Sequence, residues 1–388
     1  MKQKIDNRIS VLEIIGSATQ GGMENQILSF LKNISLDKFS ICCICPCESR
    51  FTRTLRELGL PVFVTPLADD PQWRSIQTTL EVCRLHNVDV IHAHMPKSHV
   101  LAAIAGSLAH KPVVATIHGM HLTPHELGVA LACKSYLIAN CSETYIQALS
   151  LGIPNDRVRF LPNGVDTTIF NPEKDGLNFR NSIGVSPTTP LVGFIGRLEY
   201  EKGPDLFISA AAYIHERDAN VHFVVVGAGS MNNELKASCL KYRFGEHLHF
   251  VDWSIDLPEI YPAFDIIAQT SRSDGTSLVV LEAMASGTPV IGMSVGGVRD
   301  IIENEHTGIL VNEGDWEQLG NQILKLLKTP LLLKAMGSAS RERVEQYFNI
   351  AQNASDTASI LQYVARSGKG QHNNFSQNHF ASEEFRMK

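Results

Sequence analysis

The chain has 388 residues, 44% of them hydrophobic, with 34 Lys+Arg against 40 Asp+Glu and a formal net charge of −6. That length exceeds one ordinary core, so two domains are expected, and the acidic balance argues against a general nucleic-acid binder. No apolar run is long enough to span a bilayer, and the opening Met-Lys-Gln-Lys-Ile-Asp lacks the core of a secretion signal, so a soluble protein of the reducing cytoplasm is the expectation.

In chain order, apolar runs rich in Ile and Val fall at 9–15, 39–45, 62–65, 88–93, 113–117 and 136–139. Helical patterns at 23–34, 51–58, 73–86, 99–108 and 142–151 separate them. This is the βαβ rhythm of an α/β, doubly wound parallel sheet. A turn-rich passage from Leu161 to Pro190 reads as a linker. The rhythm then restarts, with strands expected at 191–195, 221–226, 248–250, 266–268, 289–293 and 309–311. Helices are expected at 204–215, 278–285 and 316–328, and two more close the fold at 331–347 and 350–365. Residues 367–388 are polar and aperiodic, the pattern of a disordered tail. Charge is divided unevenly: residues 1–168 carry 15 Lys+Arg against 14 Asp+Glu, the remainder 19 against 26.

Four of the eight cysteines sit in Cys42-Cys43-Ile44-Cys45-Pro46-Cys47. No second pair stands at zinc spacing, and the segment reads as a buried strand using Cys as a small hydrophobe. Gly16 to Glu24 joins the first strand to the first helix, and its paired glycines Gly21 and Gly22 permit close approach of backbone to a ligand. Its spacing is not that of the dinucleotide fingerprint. Seven histidines lie between His92 and His125. No helical H-x-x-x-H pair supports zinc, and His118, which follows a strand, is the candidate active-site group. His92 and His94 read as structural. Arg50, Arg53 and Arg56 share one side of a short helix, a solvated face or a patch for anionic lipid.

The richest segment is Ser273-Asp274-Gly275-Thr276-Ser277-Leu278 through Glu282 to Pro289. Two carboxylates flank a polar loop and helix start between two strands, where α/β proteins hold ligands. Carboxylates suit paired hydroxyls, and the Gly275 to Leu278 amides at a helix start suit an anion, so the turn reads as a nucleotide-sugar site. Arg197 and Lys202, five residues apart in the loop after the first strand of the second half, are placed to converge on a diphosphate. No D-x-D pair occurs, so the cations and the helix start would replace a metal.

Together these segments resemble the retaining GT-B glycosyltransferases of family four (glycosyl transferases group 1), over nearly the whole chain. The likeness rests on Gly21 to Glu24, Asp89 to His94, Thr116-Ile117-His118-Gly119, Asn163-Gly164-Val165-Asp166, Gly196-Arg197 to Lys202-Gly203, the carboxylate turn, and Gly296-Gly297-Val298. It implies two Rossmann-like domains facing a central cleft. Residues 1–168 with a returning helix 350–366 would form the acceptor domain, and 169–349 the donor domain. By the resemblance, Arg197 and Lys202 hold the donor diphosphate, Glu282 the ribose hydroxyls, and Asp274 the sugar hydroxyls. Gly275, Thr276, Ser277 and Leu278 contact sugar and phosphate, His118 contacts the sugar at the reacting centre, and Gly22 lets the first domain close over the phosphates. No cofactor or metal is implied.

The implied partners are a UDP- or GDP-sugar and a glycan or lipid-linked acceptor in cell-envelope polysaccharide or lipopolysaccharide synthesis. Peripheral contact at the inner face of the membrane would run through the first domain. Two departures stand out. Asp274 is one methylene shorter than the family's usual Glu, and Asp252 precedes Trp253 where a small glycine is commoner. A sugar-nucleotide 2-epimerase of the same fold and a non-catalytic sugar-nucleotide binder are the competing readings. An epimerised donor in the absence of acceptor would mark the first, and saturable binding without transfer or hydrolysis the second.

Overall fold

The computed structural model describes residues 8–19, 21–252 and 256–367. Gln20, Trp253 and the expected disordered tail lie outside the described residues, except that Ser367 ends the last helix. The chain divides into two compact units, one running to Asn163 and resuming at Ile350, the other spanning Gly164–Asn349. Within the second unit, next to where the chain enters and leaves it, Val165 N–H donates to the Phe348 carbonyl at 2.8 Å, and Val165 bridges Asn349.

In the first unit the strands are β1 (Ile9–Ile15), β2 (Phe39–Cys45), β3 (Val62–Val64), β4 (Val90–His94), β5 (Val113–Ile117), β6 (Tyr136–Ala139) and β7 (Val158–Phe160). They form a parallel sheet in the order β3-β2-β1-β4-β5-β6-β7. The middle strands are largely apolar on both faces because helices cover both, with Glu13 on β1 and His92 and His94 on β4 as buried exceptions. On one face Ile27, Phe30 and Leu31 of helix Gly22–Asn33 pack with Ile360, Leu361 and Val364 of helix Ile350–Ser367. Each such side chain contributes about 1.5–3 kcal/mol by leaving water. Asn353 donates to the Pro162 carbonyl at 2.6 Å and accepts from Gln26 at 3.3 Å, which adds polar anchors to that apolar seam. The opposite face is closed by Ile76, Val82, Leu101 and Ala102. Cys42, Cys43 and Cys45 are core residues, and burial pushes the Cys42 and Cys45 thiols up to about 12, which keeps them unreactive.

The second unit repeats the plan with β8 (Leu191–Ile195), β9 (His222–Val226), β10 (Leu248–Val251), β11 (Ile266–Gln269), β12 (Val290–Met293) and β13 (Ile309–Val311), ordered β10-β9-β8-β11-β12-β13. All its pairings are parallel. In both sheets the order reverses beside the first strand, between β1 and β4 and between β8 and β11. Those are the switch points at which open α/β sheets take ligands.

Several elements exceed the sequence expectation. Strand β7 has three residues, too few for a period to show. Helix Pro124–Ala132 starts at a capping box, Thr123 and Glu126 each satisfying the other's amide at 2.9–3.2 Å. The passage read as a linker holds a helix, Leu177–Ser182, whose buried Arg180 donates to the Ala263, Ser186 and Thr189 carbonyls and to Asp265 at 2.7–3.0 Å. Much of that passage is therefore integral to the second unit. Helix Asn232–Cys239 is a further addition, its single buried residue Leu235 giving it little apolar signature, and Leu257–Ile260 and Val298–Ile301 are single helical turns too short to show a period.

Candidate active site

The second unit gathers its polar groups in the loops after β8 and β11. Gly203 adopts φ +63°, and a Cβ there would run into the Thr270 carbonyl, so only glycine lets the two loops approach. Thr270 Oγ1 donates to the Gly203 carbonyl at 2.8 Å. Arg272 then braces the β8 loop, holding both Asp205 oxygens at 2.9 and 2.6 Å and the Tyr200 carbonyl at 2.8 Å. Its guanidinium lies 4.0 Å over the Tyr200 ring. Motifs some 70 residues apart in sequence are thus locked side by side.

Lys202 Nζ lies 2.9 Å from Asp274 Oδ1, and both are half-buried. Asp274 Oδ2 also accepts from Ser271 Oγ at 3.2 Å, with Gln269 Nε2 at 3.5 Å. The turn continues into helix Leu278–Ala285, whose N-cap residue Ser277 makes no side-chain capping bond. Gly275, Thr276 and Ser277 are buried and Leu278 is half-buried. A Cβ on Gly297 would meet the Gly275 carbonyl at 2.6 Å, so the glycine pair keeps the turn closed from behind. Arg197, by contrast, is exposed and bonded to Glu201 at 2.7 Å rather than directed with Lys202 at a common point. An exposed guanidinium takes the carboxylate four residues along the same loop, a contact that water weakens.

Glu282 is half-buried. Burial pushes its carboxyl up to about 7, against the bond its Oε2 accepts from the buried Tyr261 hydroxyl at 2.7 Å. Tyr261 had no sequence signal, since a lone tyrosine in a turn is uninformative.

In the first unit, Gly22 is exposed at the start of helix Gly22–Asn33. His118 follows β5 and is half-buried, its carbonyl accepting from Asn140 at 3.0 Å. Its Nε2 meets His94 Nδ1 at 3.0 Å, so His94, read from sequence as structural, is in direct contact with the candidate. Burial and the nearby His94 and His92 hold the His118 ring well below its usual range. Behind them stands a residue that the sequence reading passed over, Glu13. It accepts from His94 Nε2 at 2.8 Å and pairs with His92 Nδ1 at 3.0 Å. Burial alone would raise the Glu13 carboxyl, but His92's charge and the two histidine bonds outweigh it and bring it down to about 2. His92 Nε2 lies 2.8 Å from Thr116 Oγ1. Glu13, His92 and His94 are also, among the described residues, the cluster with a metal-ligating composition, their ligand atoms within 4.8 Å of one another. The available signal was an acid inside the apolar run Ile-Ser-Val-Leu-Glu-Ile-Ile, which is costly unless paired.

Comparison with known proteins matches residues 177–343 to glycosyl transferases group 1 and residues 20–169 to glycosyltransferase family 4. The chain is 26% identical over 352 residues to the UDP-Gal:alpha-D-GlcNAc-diphosphoundecaprenol alpha-1,3-galactosyltransferase of Escherichia coli, covering 85% of this chain and 91% of that one. It is 26% identical over 226 residues to the lipopolysaccharide core biosynthesis mannosyltransferase LpsB of Rhizobium meliloti, covering 56% of this chain and 64% of that one. Among solved structures, HepE of Anabaena in complex with UDP superimposes with a TM-score of 0.80 at 23% identity, covering 91% of this chain and all of HepE. That likeness speaks for the GT-B fold, and the two family matches divide the chain between them in the same order. With its paired parallel sheets and the motifs after β8 and β11, the chain belongs to the group 1, family 4 glycosyltransferases of GT-B fold.

Proposed function

We propose that the protein is a retaining, metal-independent glycosyltransferase that moves a sugar from a UDP- or GDP-linked donor to a hydroxyl of a glycan or lipid-linked acceptor. The observation that carries this is the Lys202–Asp274 pair at 2.9 Å beside the Ser277 helix start. A cation, a carboxylate and first-turn amides stand together there, the set that a sugar diphosphate requires. On this reading Lys202 leaves Asp274 for the diphosphate, Asp274 turns to sugar hydroxyls, and Arg197 swings from Glu201 to the second phosphate. Glu282 takes the ribose with the oxygen that Tyr261 leaves open. Gly275 to Leu278 contact sugar and phosphate, and Gly22 lines the approach from the first unit.

No side chain is assigned as a covalent nucleophile. The acceptor hydroxyl attacks on the face the diphosphate leaves, its proton passes to the departing phosphate oxygen, and the anomeric configuration is retained. The protein contributes orientation and charge stabilisation, with His118 at the sugar. The E. coli and Rhizobium relatives are named for a diphosphoundecaprenol acceptor and a lipopolysaccharide core, which supports a role in cell-envelope polysaccharide synthesis. No helix of the described residues is long and apolar enough to cross a membrane. For a lipid-linked acceptor the exposed Arg50 and Arg53 would face anionic headgroups, Arg56 being held by Glu48 at 2.7 Å.

The test is thermal unfolding with a panel of UDP- and GDP-sugars in EDTA. One base should raise the midpoint saturably, since a ligand at 100 times its Kd adds about 2.7 kcal/mol. A rise that appears only with divalent metal would overturn the metal-free reading, and no rise with any member would overturn the donor assignment.

A further inference from the structure

A buried chain of hydrogen bonds begins on β1 and ends on His118. Glu13 is paired with His92, and Ile15 with His94, across the β1–β4 ladder. Side chains two apart on a strand share a face, so one carboxylate reaches both rings. Glu13, His92 and His94 are 0%, 1% and 3% exposed, and no competing water is expected at these bonds.

Counting donors leaves one arrangement for the outer link. An ionised carboxylate only accepts, so His94 Nε2, at 2.8 Å from Glu13 Oε2, carries a proton. In a neutral ring the other nitrogen is then an acceptor. The 3.0 Å contact from His94 Nδ1 to His118 Nε2 must be bridged by a proton on His118. His118 is left with an unprotonated Nδ1.

We infer that Glu13 is a positioning residue for sugar transfer: through His94 it fixes His118 as the Nε2–H tautomer, so that Nδ1 offers a lone pair to a hydroxyl of the bound sugar. The inference rests on the proposed contact of His118 with the donor. It makes His118 an acceptor at the sugar, neither a cation nor a proton donor. Burial and the neighbouring His92, against the Glu13 bond, lower His94 to about 4, and burial with the nearby His94 and His92 holds His118 well below its usual range, which favours the neutral ring. Satisfying Glu13 would require only the two inner rings; the link onward to His118 is what a purely structural cluster has no use for. The frame around it is tight. Met95, next to His94, holds φ +83°, and a Cβ on Gly16 would meet Ser98 Oγ at 2.7 Å and the His94 carbonyl at 3.0 Å.

The experiment is Glu13→Gln, with kinetics and ¹⁵N-histidine spectra of the full-length protein, His118 being assigned by its loss in His118→Ala. A glutamine amide can donate as well as accept, which lets His94 carry its proton on Nδ1 and inverts His118. The expected result is a kcat lower by roughly 10²- to 10⁴-fold, as when an orienting carboxylate becomes an amide, with a smaller change in donor KM. The His118 Nδ1 signal should move from the unprotonated to the protonated range. Should Glu13→Gln fail to fold, His94→Asn decides alone, because its side-chain oxygen sits where Nδ1 was and accepts from His118 without Glu13. His118 should then keep the Nε2–H spectrum, and where both variants fold, adding Glu13→Gln to His94→Asn should cost no more than about 2-fold further.

An unchanged kcat and spectrum in Glu13→Gln, with His118→Ala inactive, would overturn the inference and leave the sugar contact standing. Full activity of His118→Ala would instead sink that contact, and the spectra would still decide the tautomer. A stoichiometric divalent metal that Glu13→Gln loses would also overturn it, because a metal on His94 Nε2 displaces the proton the chain needs.

Discussion

At the first unit's switch point Glu13, His92 and His94 are enclosed by the sheet and satisfy one another, whereas at the second unit's switch point Lys202, Asp274 and Arg197 ride on loops, half-buried or exposed, in pairs a ligand can displace. The same topological position is used twice with opposite electrostatics. Strand-borne groups have fixed geometry and pay for burial through mutual pairing. Loop-borne groups keep contact with water, so their pairs hold weakly and can be exchanged for a phosphate or a hydroxyl. The first arrangement suits orientation and the second suits binding.

Glu13→Ala should separate the two most sharply. It strips the acceptor from two buried ring N–H groups, and breaking a buried pair in this way costs about 3–5 kcal/mol. Urea unfolding should show a loss of that size, and a loss under about 1 kcal/mol would mean that the cluster is hydrated and the contrast false. Lys202→Ala should do the reverse. Its stability change should stay within about 1 kcal/mol, since the partner carboxylate can turn to water. Turnover should fall by roughly 3 kcal/mol of transition-state stabilisation, as for one lost preorganised donor. Steady-state rates at saturating donor check this, and wild-type turnover would refute the phosphate assignment.

How much of this was legible in the sequence follows the same division. The two sheets showed through because their strands are near-continuous apolar runs and the helices between them keep a 3.6-residue period. Arg197, Lys202, Asp274 and Glu282 were visible because charges clustered at strand-to-helix turns stand out against apolar neighbours. Glu13 did not show, since its role depends on a parallel register that sets it against His92, 79 residues away. Reading His94 as structural stopped short for the same reason: nothing local says that its second nitrogen faces His118. Tyr261 and Arg272 act through contacts with residues 21 and 67 positions away, beyond any local pattern. The pairing of Arg197 with Glu201 was local, an i,i+4 contact that the diphosphate reading looked past.

Glu282 lies between the two extremes, half-buried yet assigned to binding, and its titration measures where it belongs. Its carboxyl is raised to about 7 in the folded chain. A raised acid favours the folded state below its ordinary unfolded range near pH 4.5, and that stability is lost as pH climbs toward 7. Binding has the opposite sign. Ribose hydroxyls donate to the ionised form, so nucleoside diphosphate affinity should rise with pH, approaching about tenfold per unit below 7, and level off above it. Glu282→Gln should flatten that dependence, because an amide does not titrate. Calorimetric titration with UDP and GDP between pH 5.5 and 8.5 would record both curves after correction for the ligand's own phosphate ionisation. A slope that persists unchanged in Glu282→Gln would move Glu282 out of the binding set. Its bond to Tyr261 would then be one more buried pair of the first unit's kind, set in the second.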